Sequence, residues 1–146
     1  MHKHNITRTL AADVAVAPAA AGTTAVNGNV IDCNGFESVA FVVQFGAITA
    51  GAVTAVKVQQ GDAADGSDMA DVPGATVDVL EASSNKGVFS AEVHRPRKRY
   101  LRVVVARATQ NSVVAGGFAL LGRAGAQPPA VRPNMQNATP PVVVSP

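Results

Sequence analysis

Phe36-Glu37-Ser38-Val39-Ala40-Phe41-Val42-Val43-Gln44-Phe45 is the clearest strand in the chain, and its reading decides the fold class. Val39, Phe41, Val43 and Phe45 recur at every second position, with Glu37 in the same register near the start. Ser38, Ala40, Val42 and Gln44 fill the alternate positions. Successive side chains of a strand point to opposite faces, so this pattern makes one face of large apolar groups and one of small, partly polar groups. The large face is expected to meet a core. Asn34-Gly35, just before the run, is a turn signal.

Upstream, Leu10 to Ala17 alternates weakly through Val14 and Val16 and stops at Pro18, as an edge strand does. Ala19 to Gly22 reads as a small-residue connection. Thr24 to Asp32 carries Val26, Val30 and Ile31, interrupted by Asn27-Gly28-Asn29, which reads as a turn. Downstream, Gly46 to Gly51 reads as a loop. Ala52 to Gln60 reads as the next strand, with Val56 and Val58 opposite Lys57 and Gln59, and an antiparallel hairpin with the preceding strand is expected. Gly61 to Pro73 is a polar loop, Thr76 to Leu80 a short strand, and Glu81 to Gly87 a further loop. Val88 to Val93, Tyr100 to Arg107 and Val113 to Leu121 read as strands, with Gly116-Gly117 marking a bulge or a close backbone approach.

The chain has 146 residues, enough for one domain with a core that needs no disulfide or metal. Its apolar residues are mostly Ala and Val, with no Trp, and Val suits a pleated surface. No segment has the i, i+3, i+4, i+7 spacing of an amphipathic helix. Short strands separated by turn signals point to an all-β antiparallel sandwich, jelly roll or barrel. The expected organisation is an N-terminal arm over residues 1–9, a β-sandwich domain over 10–125 and a tail over 126–146. The tail holds Pro128-Pro129, Pro133, Pro140-Pro141 and Pro146 and is expected to be extended.

Charged residues are 15% of the chain, against roughly 25% in ordinary soluble domains. A surface so thinly charged is poorly defended against association; it reads either as a surface meant to be covered or as the mark of a source whose composition favours Ala, Gly and Val. The net charge of +2 does not imply nucleic-acid binding. No apolar run is long enough to span a membrane, and no signal peptide is read at the start, because Leu10 to Ala21 is broken by Asp13 and Pro18.

Few residues suggest chemistry. Cys33, the single cysteine, stands between Asp32 and Asn34 without a nearby base, and reads as structural. His2 and His4 could share a metal, but no third ligand is evident. Asp62, Asp65, Asp68 and Asp71 recur every third residue, which is not a calcium-loop spacing, so they read as a solvated acidic loop. No phosphate-cradling loop, nucleophile elbow or His-Glu-x-x-His motif is present. The expectation is a non-enzymatic protein with no cofactor and no metal. The candidate partner-binding residues are the densest charged stretch, Arg95, Arg97, Lys98, Arg99, Tyr100 and Arg102, with Arg107 just beyond. Arginine pairs well with carboxylates, so contact with a protein, or a plain solvated surface, is preferred over nucleic acid.

Ile31-Asp32-Cys33-Asn34-Gly35-Phe36-Glu37-Ser38-Val39, Lys98-Arg99-Tyr100-Leu101-Arg102-Val103-Val104-Val105 and Gly117-Phe118-Ala119-Leu120-Leu121-Gly122-Arg123 together resemble small structural proteins of tailed phages. The resemblance is to capsid decoration, or cement, proteins of Bordetella-type short-tailed phages, and spans roughly residues 30–125. It implies a jelly-roll-like β fold. It implies a virion component on the capsid exterior that binds the major capsid protein and cements neighbouring subunits. It further implies a symmetric homo-oligomer, with a dimer favoured, and no cofactor, nucleic acid or membrane. The rival readings are a carbohydrate- or ligand-binding sandwich module and another virion part, such as a tail or head-completion protein.

Overall fold

A computed structural model of the chain describes residues 9–79 and 87–124. The strands are β1 (Leu10–Val16), β2 (Ala19–Gly22), β3 (Val26–Asn27), β4 (Ile31–Asp32), β5 (Phe36–Ile48), β6 (Val53–Gly61), β7 (Ala70–Val79), β8 (Val88–His94), β9 (Tyr100–Ala108) and β10 (Ser112–Ala124). They form two antiparallel sheets. Sheet A runs β1-β10-β5-β8, with β2 also on β10, and sheet B runs β3-β9-β6-β7, with β4 also on β9.

Because β1 and β2 follow one another along β10, and β3 and β4 along β9, each sheet is four rails wide. Numbered along the chain, the rails read 1-8-3-6 and 2-7-4-5, the strand order of a jelly roll. The all-β sandwich of jelly-roll type expected from the sequence is the fold found. The N-terminal arm expected at 1–9 (Thr9 apart) and the tail at 126–146 lie outside the described residues, as does most of the loop expected at 81–87.

The core lies between the sheets. Val39, Phe41, Val43 and Phe45 of β5 are buried, as their alternation requires, and so are Ala119 and Leu121 of β10. Sheet B contributes Ile31, Val56, Val58, Leu101, Val103 and Val105. Phe89, Ala91 and Val93 of β8 are partly buried against this cluster, and Phe45 meets Phe89 edge-to-face at 5.4 Å. Cys33 is a buried thiol within the core, in keeping with a structural reading.

Three local expectations are corrected, besides the earlier start of β7, which takes in residues 70–73 of the loop expected at Gly61 to Pro73. β5 and β6 are not a hairpin: they belong to different sheets. Both have a large apolar face, and stacking those faces buries them together, whereas a hairpin would lay them side by side and leave both to be covered. β5 continues through Gly46, Ala47 and Ile48, and the chain then turns the corner at Thr49, whose N–H donates to Asn111 O.

The second correction is at Asn27-Gly28-Asn29, which is not a turn. β3 and β4 follow β9 in one direction, with Asn27 opposite Val104 and Ile31 opposite Leu101, so the intervening residues form a bulge. Glycine is needed there for space: a Cβ on Gly28 would stand 2.4 Å from Ala15 O and 2.6 Å from Val103 O. The Asn34-Gly35 turn does form, with Phe36 N donating to Cys33 O and Gly35 at φ 85°. Third, Ala19–Gly22 is a strand on β10, not a connection.

Candidate protein-binding surfaces

The basic segment expected to bind a partner connects β8 of sheet A to β9 of sheet B. It sits at the end of the sandwich where the β4–β5 and β6–β7 connections also lie: Lys98 reaches Asp62 and Arg99 reaches Asp32. Leu10 pairs with Gly122, and Gly122 with Ser38, so the starts of β1 and β5 and the end of β10 are at this end too.

The six candidate residues do not form one open patch. Arg99 grips Asp32 with two bonds, Nε to Oδ1 at 3.0 Å and Nη2 to Oδ2 at 2.8 Å, and its guanidinium lies over the Tyr100 ring, 5.2 Å from the centroid. The hydrogen bond to Asp32 and its charge raise the Arg99 pKa. Lys98 pairs with Asp62, and that bond raises the Lys98 pKa. Arg102 donates Nε to Gln59 Oε1 at 2.8 Å, within sheet B. Arg95 and Arg97 are exposed and have no carboxylate partner among the described residues. Arg107 is structural: it donates to the carbonyl oxygens of Thr24, Ala20 and Ser112, tying together the rails at the opposite end.

The aspartates do not converge on a cation. Asp62 pairs with Lys98, and Asp65 accepts the Ser67 N–H. Asp68 accepts the N–H groups of Asp62 and Ala63, and Asp71 accepts from Gln59 and Lys57. These hydrogen bonds favour the charged form and hold Asp65, Asp68 and Asp71 below the usual carboxylate range. Among the described residues, no three His, Cys, Asp or Glu side chains gather as metal ligands. His2 and His4 lie outside the described residues. His94, at the end of β8, is exposed.

The outer faces of the two sheets differ sharply. On sheet B, a polar ladder crosses three strands: Arg102 bonds Gln59 Oε1, Gln59 Nε2 bonds Asp71 Oδ1 at 2.7 Å, and Lys57 Nζ bonds Asp71 Oδ2 at 3.0 Å. On sheet A the outward polar groups keep to β8 and the ends of β5 (Ser38, Gln44, Ser90, Glu92 and His94), and the outward positions of β1, β10 and the middle of β5 are apolar. The register of this sheet sets Val14 beside Phe118 and Phe118 beside Val42, then Ala12 beside Leu120 and Leu120 beside Ala40. Val14, Phe118 and Val88 are exposed by 38%, 47% and 62%. A hollow of about 490 Å³ on this face is lined by Leu10, Ala40 and Leu120, with Ser38 and Glu92 at one side. Glu92 is a carboxylate on the face, and it already accepts the Ser38 hydroxyl. The other exposed valines, Val53 and Val77, stand singly at an end and an edge of sheet B.

A contiguous apolar patch of this kind is a candidate contact surface. The basic segment drew attention away from it, yet the signal was present in β10. There, Phe118 and Leu120 alternate with Ala119 and Leu121, so the strand is apolar on both sides, as strands covered on both faces are. No protein-family model matches the chain, and a search of curated proteins finds no match to it.

Proposed function

We propose that the protein is a structural component of a virion that decorates the exterior of an icosahedral capsid and cements neighbouring major capsid protein subunits. The observation that carries a binding role is the contrast between the apolar outer face of sheet A and the polar-laddered outer face of sheet B. The capsid itself enters through the resemblance of residues 31–39, 98–105 and 117–123 to decoration proteins. Those stretches fall on β4 and the start of β5, on β9 and on β10.

In this reading the face of sheet A meets a second copy of the chain. Permanent homo-interfaces are more apolar than contacts that form and dissolve, and with so little charge on the face two copies do not repel. Four rails about 4.8 Å apart and some seven residues long make a face of roughly 400 Å² in projection. In projection this is about half of the roughly 800 Å² per partner of a standard interface. Binding only the assembled shell would stabilise that shell by mass action. No cofactor is involved.

The test is the copy number of this protein in purified virus particles, by quantitative mass spectrometry against the most abundant shell protein. A simple fraction of the shell copy number is expected. A handful of copies would make it a tail or head-completion part. Complete absence would overturn the reading and leave a ligand-binding sandwich as the better one.

A further inference from the structure

The β8–β9 connection contains charges that the fold does not use. Lys98 and Arg99 are neutralised by Asp62 and Asp32, but Arg95 and Arg97, on either side of Pro96, are exposed without a carboxylate among the described residues. They line a cleft of about 240 Å³ whose walls include Val72, Pro73, Val93 and Pro96. Arg95 is held in place by its backbone: its N–H donates to Glu37 O at 2.7 Å, and its φ is 51°, a left-handed value unusual for a residue with a side chain. Its guanidinium therefore starts from a fixed root.

We infer that this cleft recognises an acidic, extended peptide segment of a protein partner, with Arg95 and Arg97 each engaging a carboxylate and the prolines and valines contacting the intervening side chains. Two features favour carboxylates spaced along a peptide over a nucleic-acid backbone. Asp65 and Asp68, in the β6–β7 connection at this end, have no ion pair among the described residues and would repel a continuous polyanion. The cleft walls contain no Phe, Tyr or Trp ring for base stacking, only the imidazole of His94. The partner reading rests on the proposed virion role, in which the acidic segment belongs to the shell. The recognition chemistry does not depend on it.

The probe is a capped peptide of alternating Glu and Val, titrated into the full-length protein at about 50 mM salt, where charge contacts are weakly screened. Binding is followed by amide chemical shifts. Shifts centred on residues 93–97 are expected. Arg95→Gly keeps a residue suited to the left-handed backbone while deleting the guanidinium. It and Arg97→Gln are each expected to weaken binding about tenfold, as loss of a charge-assisted contact does. Lys98→Met is expected to change affinity less than twofold, because Lys98 is already paired.

The inference is overturned by equal binding of the Gln-for-Glu peptide, by shifts elsewhere, or by insensitivity to Arg95→Gly and Arg97→Gln. It is also overturned if a single-stranded oligothymidylate binds more tightly through the same residues, since the site would then read phosphates. If the peptide binds as described but the protein is absent from particles, the virion role fails and the site stands. If particles contain the protein but the peptide does not bind, the reverse holds.

Discussion

The backbone N–H of Asn29 donates to the carbonyl oxygen of Ala15 at 2.7 Å, and this bond joins strands that belong to different sheets. The Asn29 side-chain amide adds a second tie, to Val14 O at 3.0 Å. Beside them, Gly28 N donates to Val103 O at 2.8 Å. The bulge between β3 and β4 thus fastens one edge of the sandwich, and it can do so because Gly28 lets three backbones meet.

Gly28→Ala is therefore expected to destabilise the fold severely. The new Cβ would meet two backbone carbonyls, which cannot swing aside as a flexible side chain can. The cost is expected to be about 3 kcal/mol. Urea unfolding measures it; a change below about 0.5 kcal/mol would show that the edge gives way easily.

Thr54 Oγ1 and Ser112 Oγ are buried without a hydrogen-bond partner among the described residues. A buried hydroxyl that makes no bond still loses its hydration. Thr54→Val preserves shape and β-branching and is expected to raise stability by about 1 kcal/mol. Ser112→Ala should act in the same direction. Thermal unfolding of each variant checks this, and destabilisation would mean the hydroxyls have a partner in solution.

Phe118→Glu tests the apolar face. The side chain is half exposed and points away from the core, so the fold should survive, with an unchanged far-ultraviolet circular dichroism spectrum. A carboxylate in the middle of an isologous contact meets its own copy, and self-association is expected to weaken by at least about a hundredfold. Sedimentation velocity reads this directly. A variant that sediments like the parent would clear sheet A of any role in pairing.

Acid should loosen the β6–β7 region. Asp65, Asp68 and Asp71 have native pKa values below the ordinary 3.8, so the unfolded chain binds more protons than the native one as pH falls. Their contribution is complete above that value and is lost as pH drops through the native pKa values. Asp68→Asn should lower the urea midpoint at neutral pH and flatten its fall on acidification. An unchanged slope would mean that Asp68 carries none of this dependence.

The sandwich was legible because β5 announces its faces: four large residues at alternate positions leave little choice of fold class. Two local features misled, for physical reasons. Asn27-Gly28 has the composition of a hairpin turn, but its glycine answers a close approach by Ala15 and Val103, residues distant in sequence. β6 follows β5 closely, yet β10 and β8 already occupy both edges of β5, and pairing across long sequence separations is not written in any local pattern. The binding surface was legible in part. Arginine density pointed to residues 95–102, but which of those charges are spent depends on Asp32, Gln59 and Asp62, which only the folded chain brings near. The apolar face of sheet A is assembled from four separate strands.

Thr9 and Ala124, the first and last described residues of the domain, flank strand ends at the basic end of the sandwich, where Leu10 pairs with Gly122 and Ser38 with His94. The corner at Thr49, Ala50 and Gly51 is exposed at the other end. As a scaffold for displaying foreign epitopes, the molecule therefore offers two unequal ports. A passenger joined at Thr9 or Ala124 would start from the same end of the sandwich as the arginine cleft, whereas one inserted at Ala50 would start from the opposite end.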